Sequence, residues 1–217
     1  VKASIGIGFG HAVRTGMRFL GRNSTALPGY VAEQIDPLAL RHAVQGREFA
    51  HRILITGTNG KTTTTLILKN ILEQAGYKVV NNSSGSNLSR GVLTALLQDR
   101  RQGSDVVLLL EVDEASMPKV VDAVAPTHIV VLNLFRDQLD RYGEVTTTQD
   151  ILVESIKRAR MAQLILNADD PWIAQLAELT DHSHTEYFGL GIKDYDLLPH
   201  DNVIDLPIAQ SGAGFEY

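Results

Sequence analysis

Residues 52–63 read Arg-Ile-Leu-Ile-Thr-Gly-Thr-Asn-Gly-Lys-Thr-Thr. An apolar run passes through two glycines into a lysine and a string of hydroxyl side chains. That order predicts a buried strand, a tight turn and a helix. The first N–H groups of such a helix have no partner within it and point outward, which makes an anion site. Gly57 and Gly60 let the backbone approach phosphate oxygens closely. Lys61 supplies a positive charge near the β- and γ-phosphates of a nucleotide, and Thr62 a hydroxyl for Mg²⁺. With Thr58, Asn59 and Thr63, these are the candidate ATP contacts. The longer pattern G-x-x-x-x-G-K-[ST] is not matched, because its first glycine would fall on Ile55. The loop has the shorter form G-x-x-G-K-T. The plain alternative is a strand–helix turn with a surface lysine.

The same alternation continues along the chain. Short apolar runs at 52–56, 78–81, 106–112, 128–134, 164–167 and 186–188 read as strands. Between them, 62–75, 88–98, 116–124, 149–160 and 171–179 have helical spacing. In the first of these helices Ile67, Leu68, Ile71, Leu72 and Ala75 share a face that is expected to be buried. Residues 106–110 and 129–132 are continuously apolar, as in strands covered on both sides. The predicted fold class is α/β: a P-loop-containing, mostly parallel, doubly wound sheet over 51–190. A short helical preamble is expected over 1–50, and a linker or the start of a further module over 191–217.

Composition bounds the function. Among 217 residues, 44% are hydrophobic and 21% charged, which suits a packed domain rather than a disordered chain. The net charge of −5 gives no global positive field to draw in nucleic acid. No apolar run approaches the roughly 18 residues of a transmembrane helix. The first residues lack the charge-then-apolar order of a secretory signal. Cysteine is absent, which excludes disulfides, thiolate zinc sites, Fe–S ligation and cysteine nucleophiles within these residues. The chain opens on Val1 and runs out at Tyr217 without a closing element, so a piece of a longer polypeptide is expected.

Three more constellations carry candidate chemistry. Glu111-Val112-Asp113-Glu114 follows the apolar strand at 106–110, at the end where open α/β sheets bind ligands. Glu111 is the favoured Mg²⁺ ligand there; Asp113 and Glu114 are weaker candidates, with an acidic helix cap as the alternative. Residues 133–144, Asn-Leu-Phe-Arg-Asp-Gln-Leu-Asp-Arg-Tyr-Gly-Glu, follow another strand. They read as a ligand-organising loop or as a helix start capped by Asp137. The polar stretch 81–90, which contains Asn87, either lines a cleft or is simply exposed. His182 and His184 lack a partner at metal-ligand spacing.

Taken together, residues 56–63, Glu111, 133–140 and Asn167-Ala168-Asp169-Asp170-Pro171 resemble the ATP-binding central domain of the Mur ligases. Leu27-Pro28-Gly29, Gly85-Ser86-Asn87 and the Asp137-Gln138 pair point to the MurT-like branch of that family. The resemblance covers residues 12–190. The phosphate loop alone is shared by all Mur ligases and by folylpolyglutamate synthetases.

The resemblance implies an amide-forming, ATP- and Mg²⁺-dependent ligase of peptidoglycan biosynthesis, working through an acyl phosphate. It implies a GatD-like glutaminase partner as the ammonia source, and lipid II as acceptor. The setting is cytoplasmic, at the inner membrane face. Lys61, Asp137 and Asp140 take catalytic roles; Asn87 and Asn133 join the cofactor-binding set; Thr62, Glu111 and Gln138 take the metal. Most Mur ligases have a metal-binding histidine where Gln138 stands. They also have a carbamylated lysine near the position of Glu154, so Glu154 is expected to replace that negative charge. A cysteine-rich zinc ribbon and a C-terminal domain would follow this region. The alternatives are an amino-acid-adding ligase of Mur or folylpolyglutamate type, or a nucleotide-binding module inactive on its own.

Overall fold

A computed structural model describes residues 27–82, 86–134 and 142–190, with residues 142–146 described as backbone only. Six strands form one sheet: β1 (Phe49–Thr56), β2 (Lys78–Asn81), β3 (Gly103–Glu111), β4 (His128–Val131), β5 (Gln163–Asn167) and β6 (Thr185–Phe188). Their order across the sheet is β2-β3-β1-β4-β5-β6, and every pairing is parallel. Parallel neighbours need a crossover, and the intervening segments supply it as helices. These are α1 (Leu27–Ile35), α2 (Ala39–Val44), α3 (Lys61–Gln74), α4 (Ser89–Gln98), α5 (Met117–Val124), α6 (Tyr142–Arg158), α7 (Pro171–Ala174) and α8 (Leu176–Thr180). A short 3₁₀ turn at Glu114–Ser116 leads into α5.

Side chains alternate across the sheet and both faces are covered. Leu54, Val80, Leu108, Leu110, Ile129, Val131, Leu164 and Leu166 face one layer of helices. That layer contributes Ala32, Leu40, Leu93, Val120, Leu152, Ile156 and Ile173, so α1 and α2 share the core of the sheet. Ile53, Ile55, Val79, Val107, Leu109 and Val130 face the other way, where Leu68 and Leu72 of α3 pack on them. The continuous apolar runs are explained by this two-sided cover.

The expected buried face of α3 is only half right. Leu68 and Leu72 pack on the sheet, but Ile67 and Ile71 are 56% and 57% exposed. Among the described residues α3 is the only helix on that side. A helix lying alone on a sheet buries one narrow stripe, and the residues beside the stripe find no second neighbour.

The topology places the site. From β1 the chain crosses to β2 on one side of the sheet; from β3 it crosses to β4 on the other. The reversal falls at β1, and ligands in open α/β sheets bind beyond the carboxyl ends of the strands at such a point. Thr56, Glu111 and Val131 end the three strands that meet there.

Candidate functional site

Beyond Thr56 the chain turns through Gly57 at φ +130° and Gly60 at φ +83°, both in the region that side chains disfavour. A Cβ on Gly57 would stand 2.9 Å from both the N and the O of Asn133, so the turn lies directly against the segment after β4. Gly60 has no such crowding. It is the N-cap of α3, and no side chain caps that helix. The N–H groups that open α3 therefore lack the usual side-chain partner, as the anion-site expectation requires.

Asn133 determines which donors of the loop remain. Its carbonyl accepts from the Thr58 N–H at 3.0 Å. Its side-chain Oδ1 accepts from the Asn59 N–H at 2.8 Å, and its Nδ2 donates to the Asn59 carbonyl at 3.0 Å. The main-chain N–H groups of Thr58 and Asn59, expected among the ATP contacts, are committed to Asn133. Asn133 itself, expected to meet the ligand, spends its amide on the loop. The donors of this segment that no side chain caps are those at the start of α3.

Asn133 is held in turn. Asn167 Nδ2 donates to the Leu132 carbonyl at 2.8 Å, and Asp170 Oδ2 accepts from the Leu134 N–H at 2.7 Å. Asp170 Oδ1 also caps α7 by accepting from Trp172 N–H at 2.9 Å. Burial pushes the Asp170 carboxyl above its ordinary range, while the hydrogen bonds from Leu134, Trp172 and Ile173 oppose that shift. The Asn167–Asp170 motif thus braces both residues that flank Asn133. The cap on α7 is local to Asp170, whereas the bracing of Leu134 spans 36 residues.

Lys61 lies across the loop. Its Nζ donates to the Gly57 carbonyl and, at 3.2 Å, to the Thr58 carbonyl. Glu114 Oε2 stands 3.7 Å away, and both side chains are largely buried. The ammonium group is therefore at the mouth of the turn. Thr62 and Thr63 are exposed on the first turn of α3.

Glu111, the last residue of β3, pairs in register with Ile55 of β1, two residues before Gly57. It is 5% exposed and its Oε2 is buried without a hydrogen-bond partner. An orphaned carboxylate oxygen is costly to bury, and it is the type of ligand that a hard divalent cation selects. Thr62, the second residue of α3, carries a hydroxyl of the same hard-oxygen type. Asp113 takes the capping alternative: its side chain accepts from the Ala115 N–H at 3.1 Å. The Asp113 N–H donates to the Asn87 carbonyl at 2.9 Å, which ties the polar loop containing Asn87 to the end of β3.

Glu154 has different surroundings from those expected. It sits on α6, 58% exposed, ion-paired to Arg158, which also holds Asp122. That is a solvated ion-pair position, in place of the metal-side charge anticipated for it. Asp137, Gln138 and Asp140 lie outside the described residues. Among the described residues no group of three His, Cys, Asp or Glu side chains forms a metal cluster. No helix there is long and apolar enough to cross a membrane.

The sequence matches the Mur ligase middle domain family over residues 55–206. It is 35% identical over 195 residues to the subunit MurT of lipid II isoglutaminyl synthase (glutamine-hydrolyzing) from Streptococcus pneumoniae, covering 89% of this chain and 42% of that protein. The corresponding MurT subunit of Staphylococcus aureus strain N315 is 33% identical over 168 residues, or 77% of this chain and 38% of the relative. The chain thus spans about two fifths of the length of these curated relatives. Among solved structures, MurF ligase from Thermotoga maritima in complex with ADP superposes with a TM-score of 0.59 at 24% identity, covering 71% of this chain and 36% of that one. That likeness supports the fold.

Proposed function

The chain belongs to the Mur ligase family and carries its middle domain, and from that premise we propose that it is the nucleotide-binding part of an ATP-dependent carbon–nitrogen ligase acting on lipid II. The product is the amide of the D-glutamate α-carboxylate, D-isoglutamine. One observation carries the reading: β1 ends in a glycine turn that leads into an uncapped helix start bearing Lys61, and the adjacent strand β3 ends in Glu111, whose Oε2 is buried without a partner. Amidation is preferred over amino-acid addition because MurT subunits match across most of the chain.

In this reaction a carboxylate oxygen attacks the γ-phosphorus of ATP, the bond to the bridging oxygen breaks, and ADP leaves. Ammonia then adds to the acyl carbon of the acyl phosphate, loses a proton, and inorganic phosphate departs. The barrier is the meeting of two anions, so the protein's part is positioning and charge neutralisation. Lys61 and the N–H groups opening α3 bind the β- and γ-phosphates. Thr62 and Glu111 hold Mg²⁺, which when bound offsets charge on the transferring phosphoryl group. Asp137, Gln138 and Asp140 serve the acceptor or second-metal side, with Asn87 bordering it. A GatD-like glutaminase subunit supplies the ammonia, and the complex works in the cytoplasm at the membrane face that carries lipid II.

The test is an amidation assay on lipid II with the full-length protein, with and without a glutaminase subunit, using free ammonia as the bypass. Expected are ATP-dependent gain of one amide per stem peptide and loss of turnover in Lys61→Ala. Incorporation of an amino acid in place of ammonia would assign the amino-acid-adding reaction. Nucleotide binding with neither product would reduce the chain to a binding module.

A further inference from the structure

The main chain of β2 leaves the sheet after Asn81, whose ladder partner on β3 is Leu109. β3 continues to Glu111. Where the main chain has left, a side chain takes its place. Asn82 Oδ1 accepts from the Glu111 N–H at 2.9 Å, and Asn82 Nδ2 donates to the Glu111 carbonyl at 2.9 Å. The amide thus reproduces the two hydrogen bonds of a further strand residue. Asn82 is 1% exposed, so no bulk water can do this work instead. Its Nδ2 also reaches the Ser86 carbonyl at 3.3 Å, which brings the loop leading to Asn87 to the same point. On the opposite side of β3 the Val112 N–H donates to the Ile55 carbonyl at 2.9 Å. The main chain at Glu111 and Val112 is therefore gripped from both sides, while the Glu111 Oε2 is left without a partner.

We propose that Asn82 is a positioning residue: it locks the backbone of Glu111 so that the carboxylate stands fixed beside the phosphate turn, and it thereby sets how strongly Mg²⁺ tightens nucleotide binding. The proposal rests on the nucleotide reading above. Loss of the amide leaves two buried main-chain groups of Glu111 unpaired, and the end of β3 turns to satisfy them. The carboxylate turns with it. A partner that orients a metal ligand in this way commonly accounts for about 10- to 100-fold in metal affinity.

A purely structural asparagine would shift stability alone, so the readout is the affinity of a fluorescent non-hydrolysable ATP analogue, measured on the full-length protein in EDTA and in Mg²⁺. In the wild type, Mg²⁺ tightens binding. Asn82→Ala is expected to lose about 10-fold of that tightening while the affinity in EDTA stays within about twofold. Glu111→Gln is expected to lose the same tightening, and the double variant to be no worse than Glu111→Gln alone. Asn82→Asp keeps an acceptor for the Glu111 N–H and is the second variant should Asn82→Ala not fold; an intermediate loss is expected. The proposal is overturned if either variant keeps the full Mg²⁺ effect, if both affinities fall together, or if the losses with Glu111→Gln simply add. A wild-type protein that binds the analogue in neither buffer overturns the nucleotide reading itself, which the variants then do not need to address.

Discussion

The side-chain amide of Asn133 closes on both main-chain groups of Asn59, Oδ1 accepting at 2.8 Å and Nδ2 donating at 3.0 Å. The two residues are 74 positions apart, yet the contact decides the shape of the glycine turn. A glycine-rich turn has many conformations, and only a few point their N–H groups at one anion. Ordering it beforehand removes an entropy cost from binding.

Asn133→Ala removes both side-chain bonds and leaves the Thr58 contact to the main chain in place. Each lost bond is worth about 0.5–1.5 kcal/mol, so ATP affinity is expected to fall about 5- to 100-fold, with a smaller effect on AMP. Equilibrium titration with both nucleotides checks this. Equal losses for ATP and AMP would place the defect outside the phosphate turn.

The two glycines of the turn are expected to respond differently to the same change. At Gly57 a Cβ meets the Asn133 main chain at 2.9 Å and the backbone sits at φ +130°. At Gly60 the nearest atom is a flexible Leu132 methyl at 3.7 Å and φ is +83°. Gly60→Ala carries only the left-handed penalty, about 1–2 kcal/mol. Gly57→Ala adds a clash with backbone that cannot move without releasing Asn133, so the loss is expected to be larger and to include ATP binding. Chemical denaturation of the two variants side by side settles the order.

How much of this was open to reading follows from the range of each interaction. The turn at Gly57–Thr62 and the carboxylate Glu111 were legible because they sit at the ends of continuous apolar strands, and strand ends in a parallel sheet share one edge. Asn82 and Asn133 were not legible as braces, since a side chain replacing a main-chain partner across 29 or 74 residues leaves no periodic trace. Helix α6 begins at Tyr142 rather than at the expected 149, because Gly143 and the threonines that follow give weak apolar spacing. The expected helix at 171–179 is broken into α7 and α8 at Gln175, where no periodicity is lost. Spacing overstates the buried face of α3 because it reports which residues share a side, not whether a neighbour exists to cover it.

At the opposite end of the sheet from the site, His128 packs edge-on to His51 at 5.2 Å, with Nδ1 within 2.8 Å of Thr127 Oγ1. Burial first, and then the charge of His51, hold the His128 imidazole below its ordinary pKa of 6.5, against an opposing pull from Glu186. The folded value lies below the unfolded one. The contribution to stability is therefore complete above pH 6.5 and is lost as pH falls through the folded value. Thermal melts are expected to shift downward on acidification below that point, and His128→Gln to flatten the shift. An unchanged slope in the variant would assign the acid sensitivity elsewhere.

Lys61 and Glu154 form a matched pair for testing which charges belong to the site. The Lys61 ammonium lies on the Thr58 carbonyl at 3.2 Å and beside Glu114, at the start of a helix that no side chain caps. Hydrogen bonds to charged groups are worth about 1.5–3 kcal/mol, so Lys61→Ala is expected to weaken ATP about 10- to 100-fold. Lys61→Arg is expected to rescue poorly, because the planar guanidinium does not fit a turn built around a point charge. Glu154, exposed and paired with Arg158 on its own helix, is expected to behave oppositely. Glu154→Gln leaves both ATP affinity and its Mg²⁺ dependence unchanged, with at most a small loss in melting temperature as the ion pair breaks. A strong Mg²⁺ phenotype in Glu154→Gln would return that carboxylate to the metal side and require the Arg158 pair to open during the reaction.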